Sequence, residues 1–119
     1  GASGRLVPPK DFGGRLCYED LSPGAGAIVV IGKDRSIRDL TANLMAFFEH
    51  ESCGECAPCR IGTARAREIL TSETDAPEAQ ALSSLGVVLS DTSRCGLGQA
   101  ASTALLDAIT LFPEEFERL

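Results

Sequence analysis

Three cysteines spaced by two residues, Cys53, Cys56 and Cys59, constrain this chain more than any other feature. A fourth, Cys95, stands far downstream in Arg94–Gly98. Thiolates at this spacing lie on one tight curve of backbone, and a distant fourth can complete the set. Each iron of a [4Fe–4S] cluster needs one external thiolate, which such a set supplies. Structural zinc also takes four cysteines, but usually as two separated C-x2-C pairs. Here two pairs overlap, and the second half offers one cysteine. The spacing favours an iron–sulfur site at Cys53, Cys56, Cys59 and Cys95. A zinc site and unliganded core thiols are the other readings. The five cysteines are odd in number and clustered, unlike a secreted disulfide framework, and point to a reducing, cytoplasmic setting.

The flanks suit a buried anionic group. Gly54, Gly96 and Gly98 remove Cβ atoms where backbone would approach inorganic sulfide, and their amides can donate to sulfur. Cys59 falls in the first turn of a predicted helix, where the dipole favours a thiolate. Arg60 and Arg94 each adjoin a candidate ligand; they either offset cluster charge or form surface salt bridges. Cys17, isolated in a glycine-rich segment, reads as a core thiol. His50 reads as the end of a helix, not a ligand, and Glu49 and Glu51 as a solvated face. Gly24–Ala27 precedes a predicted strand and lacks a third glycine, so it reads as a turn and not a dinucleotide fingerprint.

Other function classes are excluded by composition. The chain has 119 residues, about one domain and too few for a dehydrogenase with separate nucleotide and substrate domains. A net charge of −6 leaves no footprint for nucleic acid or anionic membrane. Apolar runs such as Ala27–Ile31 are far too short to span a bilayer, so direct membrane insertion is not expected. Gly1–Arg5 lacks the basic start and apolar stretch of a signal peptide.

The pattern changes near residue 33. Residues 1–33 hold most of the glycines along with Pro8, Pro9 and Pro23. Ala27–Ile31 is predicted to be a short buried strand closed by Gly32, at the end of a β-containing domain. Residues 34–119 read as helical. Ser36 with Asp39 resembles a capping box, followed by the stripe Ile37, Leu40, Leu44, Phe47 and Phe48. A second helix is predicted from near Pro58 to Leu70, with Ile61, Ala64 and Ile69 inward. A third starts near Pro77 with Asp75 as cap and carries Leu82, Leu85 and Leu89. A fourth runs from about Gln99 to Leu111, with Ala101, Ala104, Leu105, Ala108 and Ile109 inward, and Phe112–Leu119 forms an amphipathic tail. The fold class expected is mainly α: a small four-helix bundle carrying a [4Fe–4S] cluster, preceded by a short β segment.

Glu51–Arg60 (ESCGECAPCR) and Thr92–Gly98 (TSRCGLG) resemble the C-terminal part of the flavin-containing, NADH-binding 51 kDa-type subunit of respiratory complex I. That family includes the diaphorase subunits of NAD-reducing hydrogenases and NAD-dependent formate dehydrogenases. Gly1–Pro9 and Leu16–Ile31 resemble the end of its ubiquitin-like β-grasp domain. CGLGQ and FPEEFERL are more similar to the hydrogenase and formate dehydrogenase branch. The resemblance implies one [4Fe–4S] cluster on the four cysteines, passing electrons between FMN and further iron–sulfur centres. It implies partners: an FMN/NADH-binding domain and other iron–sulfur subunits of a multi-subunit oxidoreductase, in the cytoplasm or peripheral to a membrane complex. FMN and NAD(H) belong to an upstream domain whose residues do not occur in this sequence, so the chain is expected to be a relay and not catalytic alone. A zinc-stabilised or metal-free interaction domain is the alternative.

Overall fold

Helix α1 (Ile37–Glu51) begins where the sequence places it, because the Ser36 side chain accepts from the Asp39 amide at 3.1 Å. The computed structural model describes residues 1–72 and 78–117. After α1 come α2 (Ala57–Thr71), α3 (Glu78–Thr92) and α4 (Gly96–Leu111). Short 3-10 turns occupy Pro9–Asp11 and Pro113–Glu115. Pro58 sits in the first turn of α2, where its missing N–H costs nothing. Asp75 and Pro77, expected to open the third helix, lie outside the described residues. The fourth helix starts three residues earlier than expected, at Gly96, so that Cys95 becomes its N-cap.

Helix α1 packs on α2 and α4, and α3 packs on the same two, which closes a four-helix bundle. The core is built from Met45, Phe48, Ala66, Leu70, Leu82, Ala101, Leu105 and Ala108, and Phe116 closes one end. Each fully buried Leu, Met or Phe contributes on the order of 1.5–3 kcal/mol.

The inward faces of α1 and α2 agree with the expected ones at Phe48 and, packed at the edge of the core, at Ile37, Leu44 and Ile69, and differ at Phe47 and Ile61. The buried residues of α1 are Phe48, as expected, with Arg38, Thr41 and Met45, each one position on from a residue of the expected stripe, and Phe47 is 47% exposed. On α2 the buried residues are Cys59, Gly62, Thr63, Ala66 and Leu70, while Ile61 is 59% exposed. The polar members find partners where they lie, with Arg38 Nη1 alone among their side-chain groups left without one among the described residues. Thr41 Oγ1 donates to the Ile37 carbonyl at 2.7 Å. Arg38 Nε and Nη2 donate to the carbonyls of Leu70 and Ile69 at 3.0 and 3.1 Å, and Nη2 meets Glu78 at 2.6 Å. A guanidinium thus closes the C-terminal end of α2 and ties it to the start of α3.

The expected strand is not found: among the described residues there is no β-strand. Ala27–Ile31 has no neighbouring extended segment to share a ladder with, and Ile28, Val29 and Val30 are 75%, 67% and 89% exposed. Gly24–Gly26 is a turn, closed by the Gly26 amide on the Pro23 carbonyl at 3.0 Å. The N-terminal segment is fastened to the bundle by polar contacts. Arg5 Nε and Nη2 both donate to the Asp107 carboxylate on α4 at 2.7 Å, and the Leu6 amide adds a bond at 3.0 Å. Cys17 is partly buried in an irregular turn and is not a core thiol.

Candidate metal centre

The four cysteines occupy the starts of α2 and α4 and the loop leading into α2. Ser52 caps the end of helix α1, and Cys53 follows directly. Gly54 then takes φ +79°, a left-handed turn that glycine adopts without penalty. Arg60 Nη1 donates to the Gly54 carbonyl, which clasps this loop to the first turn of α2. Cys56 is the N-cap of α2, Cys59 lies in its first turn, and Cys95 is the N-cap of α4. Neither helix start has a side-chain cap among the described residues. Both therefore present amides without an oxygen cap and the positive end of a dipole, an arrangement that favours anions.

Two contacts bring the halves of the motif together. The Arg94 amide, followed by that of Cys59, donates to the Cys56 thiol; with a smaller contribution from the Arg94 charge these hold it below the ordinary thiol range against partial desolvation. Cys59, 5% exposed, lies against the first turn of α4. A Cβ built on Gly98 would fall 3.0 Å from Cys59 Cβ and 2.4 Å from Ser93 Oγ, so any side chain there would fill the cradle. Cys59 Sγ donates to Ser52 Oγ at 3.3 Å. Ser93 Oγ is buried and has no partner among the described residues.

Cys53 and Cys95 are exposed, Cys56 is partly exposed and Cys59 is buried. Among the described residues no three Cys, His, Asp or Glu side chains converge closely enough to hold one ion. The donor set nevertheless fits an anionic iron–sulfur group. It offers four thiols around two uncapped helix starts, a glycine cradle and an orphaned hydroxyl. His50, in the last turn of α1, is 87% exposed beside Glu51. Arg94 lies 4.0 Å from Glu55, both open to solvent, which is the surface reading of that arginine. Arg60 instead supports the cysteine loop. Ser93 was not singled out by sequence reasoning, because a serine near a ligand is commonplace and only burial without a partner marks it.

The comparisons with known proteins agree with this architecture. The chain belongs to the family described as the NADH-ubiquinone oxidoreductase-F iron-sulfur binding region, whose model matches residues 39–119. It is thus an iron–sulfur electron-transfer region of the [4Fe–4S] type. It is 34% identical, over 98% of its length, to the NADP-reducing hydrogenase subunit HndC of Solidesulfovibrio fructosivorans, covering 26% of that protein. It is 31% identical over the same share to the mitochondrial NADH dehydrogenase (ubiquinone) flavoprotein 1 of Dictyostelium discoideum, covering 27% of it. The alpha subunit of the NAD-reducing hydrogenase HoxS of Cupriavidus necator is 33% identical, with 20% covered. The chain therefore spans less than a third of the length of these relatives. A solved structure, of an NAD+-reducing NiFe-hydrogenase in the H2-reduced state, superposes with a TM-score of 0.85 at 30% identity, over 98% of this chain and 21% of that one. Among the described residues no helix is long and apolar enough to cross a membrane.

Proposed function

We propose that Cys53, Cys56, Cys59 and Cys95 hold one [4Fe–4S] cluster that relays electrons between a flavin and further iron–sulfur centres of an NAD(H)-linked oxidoreductase. The observation that carries this reading is the placement of all four cysteines around the uncapped starts of α2 and α4, in a member of an iron–sulfur binding family. When bound, the cluster supplies one-electron transfer. The chain's own part is to fix that group in space. Arg60 and Gly54 set the loop that carries Cys53 and Cys56, and the amides of Arg94 and Cys59 stabilise the Cys56 thiolate. Cys59 is set in a low-dielectric site against α4. The same reading makes residues 34–119 the iron–sulfur unit and residues 1–33 the end of a β-grasp unit. It also makes an FMN- and NAD(H)-binding domain and other iron–sulfur subunits the partners, in the cytoplasm or at the periphery of a membrane complex. Similarity to hydrogenase subunits and to a mitochondrial NADH dehydrogenase flavoprotein supports such partners.

The test is iron, sulfide and zinc content after anaerobic purification, with electron paramagnetic resonance of the dithionite-reduced sample. About four irons and four sulfides per chain are expected, and Cys95→Ala should abolish the full cluster. One zinc per chain, unchanged by anaerobic reconstitution, would overturn the reading in favour of a zinc-stabilised interaction domain.

A further inference from the structure

We infer that Ser93 donates a hydrogen bond to the sulfur side of the cluster site at Cys59 and thereby raises the reduction potential of that centre. The inference rests on the ligand set proposed above and concerns how the chain tunes it.

Ser93 lies in the short connection between α3 and α4 and is 6% exposed. Both of its backbone groups are engaged: its amide donates to the Leu89 carbonyl at 3.3 Å, and its carbonyl accepts from Gln99 Nε2 at 3.0 Å. The residue is therefore held in place from both sides, and its hydroxyl alone has no partner among the described residues. Other hydroxyls nearby satisfy themselves locally. Thr63 Oγ1 donates to the Cys59 carbonyl and Thr92 Oγ1 to the Val88 carbonyl, each at 2.7 Å. Ser93 lies just past the end of α3, where that device is not used.

A buried hydroxyl without a partner is unfavourable, so its direction matters. The point where a Gly98 side chain would begin is 2.4 Å from Ser93 Oγ and 3.0 Å from Cys59 Cβ. Hydroxyl and cysteine thus both pack on the bare backbone of Gly98, with Ser93 Oγ in the space a side chain there would need. Cys59 is the buried member of the four cysteines, so a hydrogen bond there acts in a low dielectric and carries more weight than at the exposed thiols. Donation to sulfur favours the reduced state, which carries one more negative charge. The hydroxyl is a positioning and tuning group, not an electron carrier.

The test is a potentiometric titration, followed by electron paramagnetic resonance, of the reconstituted full chain and its Ser93→Ala and Ser93→Thr variants. Ser93→Ala should keep full iron content and titrate at lower potential. At the wild-type midpoint its ratio of reduced to oxidised cluster should fall about five- to tenfold, tenfold being about 59 mV for a one-electron couple. Ser93→Thr, which retains the hydroxyl, should return the ratio toward wild type. An alanine variant with full iron and an unmoved potential would overturn the inference while leaving the ligand assignment intact. A wild-type chain that takes up no iron would overturn both. If the alanine variant assembles too little cluster to titrate, Ser93→Cys, similar in size but a weaker donor, takes its place. A smaller fall supports the inference, and wild-type behaviour overturns it.

Discussion

The bundle and the segment before it hold their shape by opposite means. From Ile37 to Leu111 four helices bury a shared apolar face, with Met45, Leu82, Leu89 and Leu105 fully enclosed. From Gly1 to Ser36 the largest apolar side chains, among them Phe12, Ile28 and Val30, face solvent; Ala2 and Leu6 rest on the edge of the core, and the strongest tie is by charge, through Arg5 on Asp107. Burial of this kind is cooperative and spread over many contacts, whereas a polar clasp concentrates attachment at one point. Stability and attachment should therefore be separable by mutation.

The largest effect is expected in the core. Leu105→Ala should lower unfolding free energy by about 2–5 kcal/mol through lost transfer energy and the cavity left behind. Val30→Ala should stay within about 0.5 kcal/mol. Paired denaturant titrations check this, and equal effects would break the contrast. An intermediate effect is expected at the clasp. Asp107→Ala removes both Arg5 bonds and the Leu6 amide bond, and should lower stability by about 1–3 kcal/mol. Limited proteolysis should then cut first within residues 1–36 while the helical remainder persists. Simultaneous loss of both parts would show that the segment is integral to the bundle.

The smallest effect is expected where the tail meets α1. The Glu115 carboxylate accepts from the Ser36 hydroxyl at 2.9 Å and the Arg38 amide at 3.0 Å. Burial by itself would raise this carboxyl, but the amides of Arg38 and Ile37 and the Ser36 hydroxyl outweigh it and hold it below its ordinary 4.5. A depressed carboxyl stabilises the fold above its unfolded value, and that contribution is lost as pH falls through the folded one. Glu115→Gln should therefore cost about 0.5–1 kcal/mol at neutral pH. Its stability curve should converge on that of the wild type between about pH 5 and pH 3. A gap that does not change with pH would remove the charge from the explanation.

The same contrast explains what could be read in the sequence. The bundle was legible because Leu82, Leu89, Ala101, Leu105 and Ala108 recur at helical spacing and end up buried. On α1 the apolar stripe points to the right side at Phe48 but lies beside the buried centre elsewhere, because the inner side includes Arg38 and Thr41. Those polar residues are tolerated through carbonyls of α2 and of their own helix and through Glu78 of α3, and a pattern of apolar letters carries no sign of that. On α2, Ile61 outranked Gly62 and Thr63 as a core candidate by hydrophobicity, but small residues occupy the packed side. The strand at Ala27–Ile31 was inferred from β-branched composition, which describes a preference and not a partner. At the centre, Cys53, Cys56, Cys59 and Cys95 were legible from spacing as a candidate set. Arg60 stands out in the sequence by its charge, yet its visible role is to clasp the Gly54 carbonyl. Ser93 and Glu115 carry no local signal, since each acts through a residue distant in the chain.

The uncapped starts of α2 and α4 also bear on the lifetime of the molecule. Helix ends whose amides lack partners open more readily than the interior of the helix. Both such ends stand at the cysteine loops, so an anionic occupant there shifts the balance between open and closed forms by mass action. Loading and local opening are thereby linked: the filled chain resists opening at these two connections.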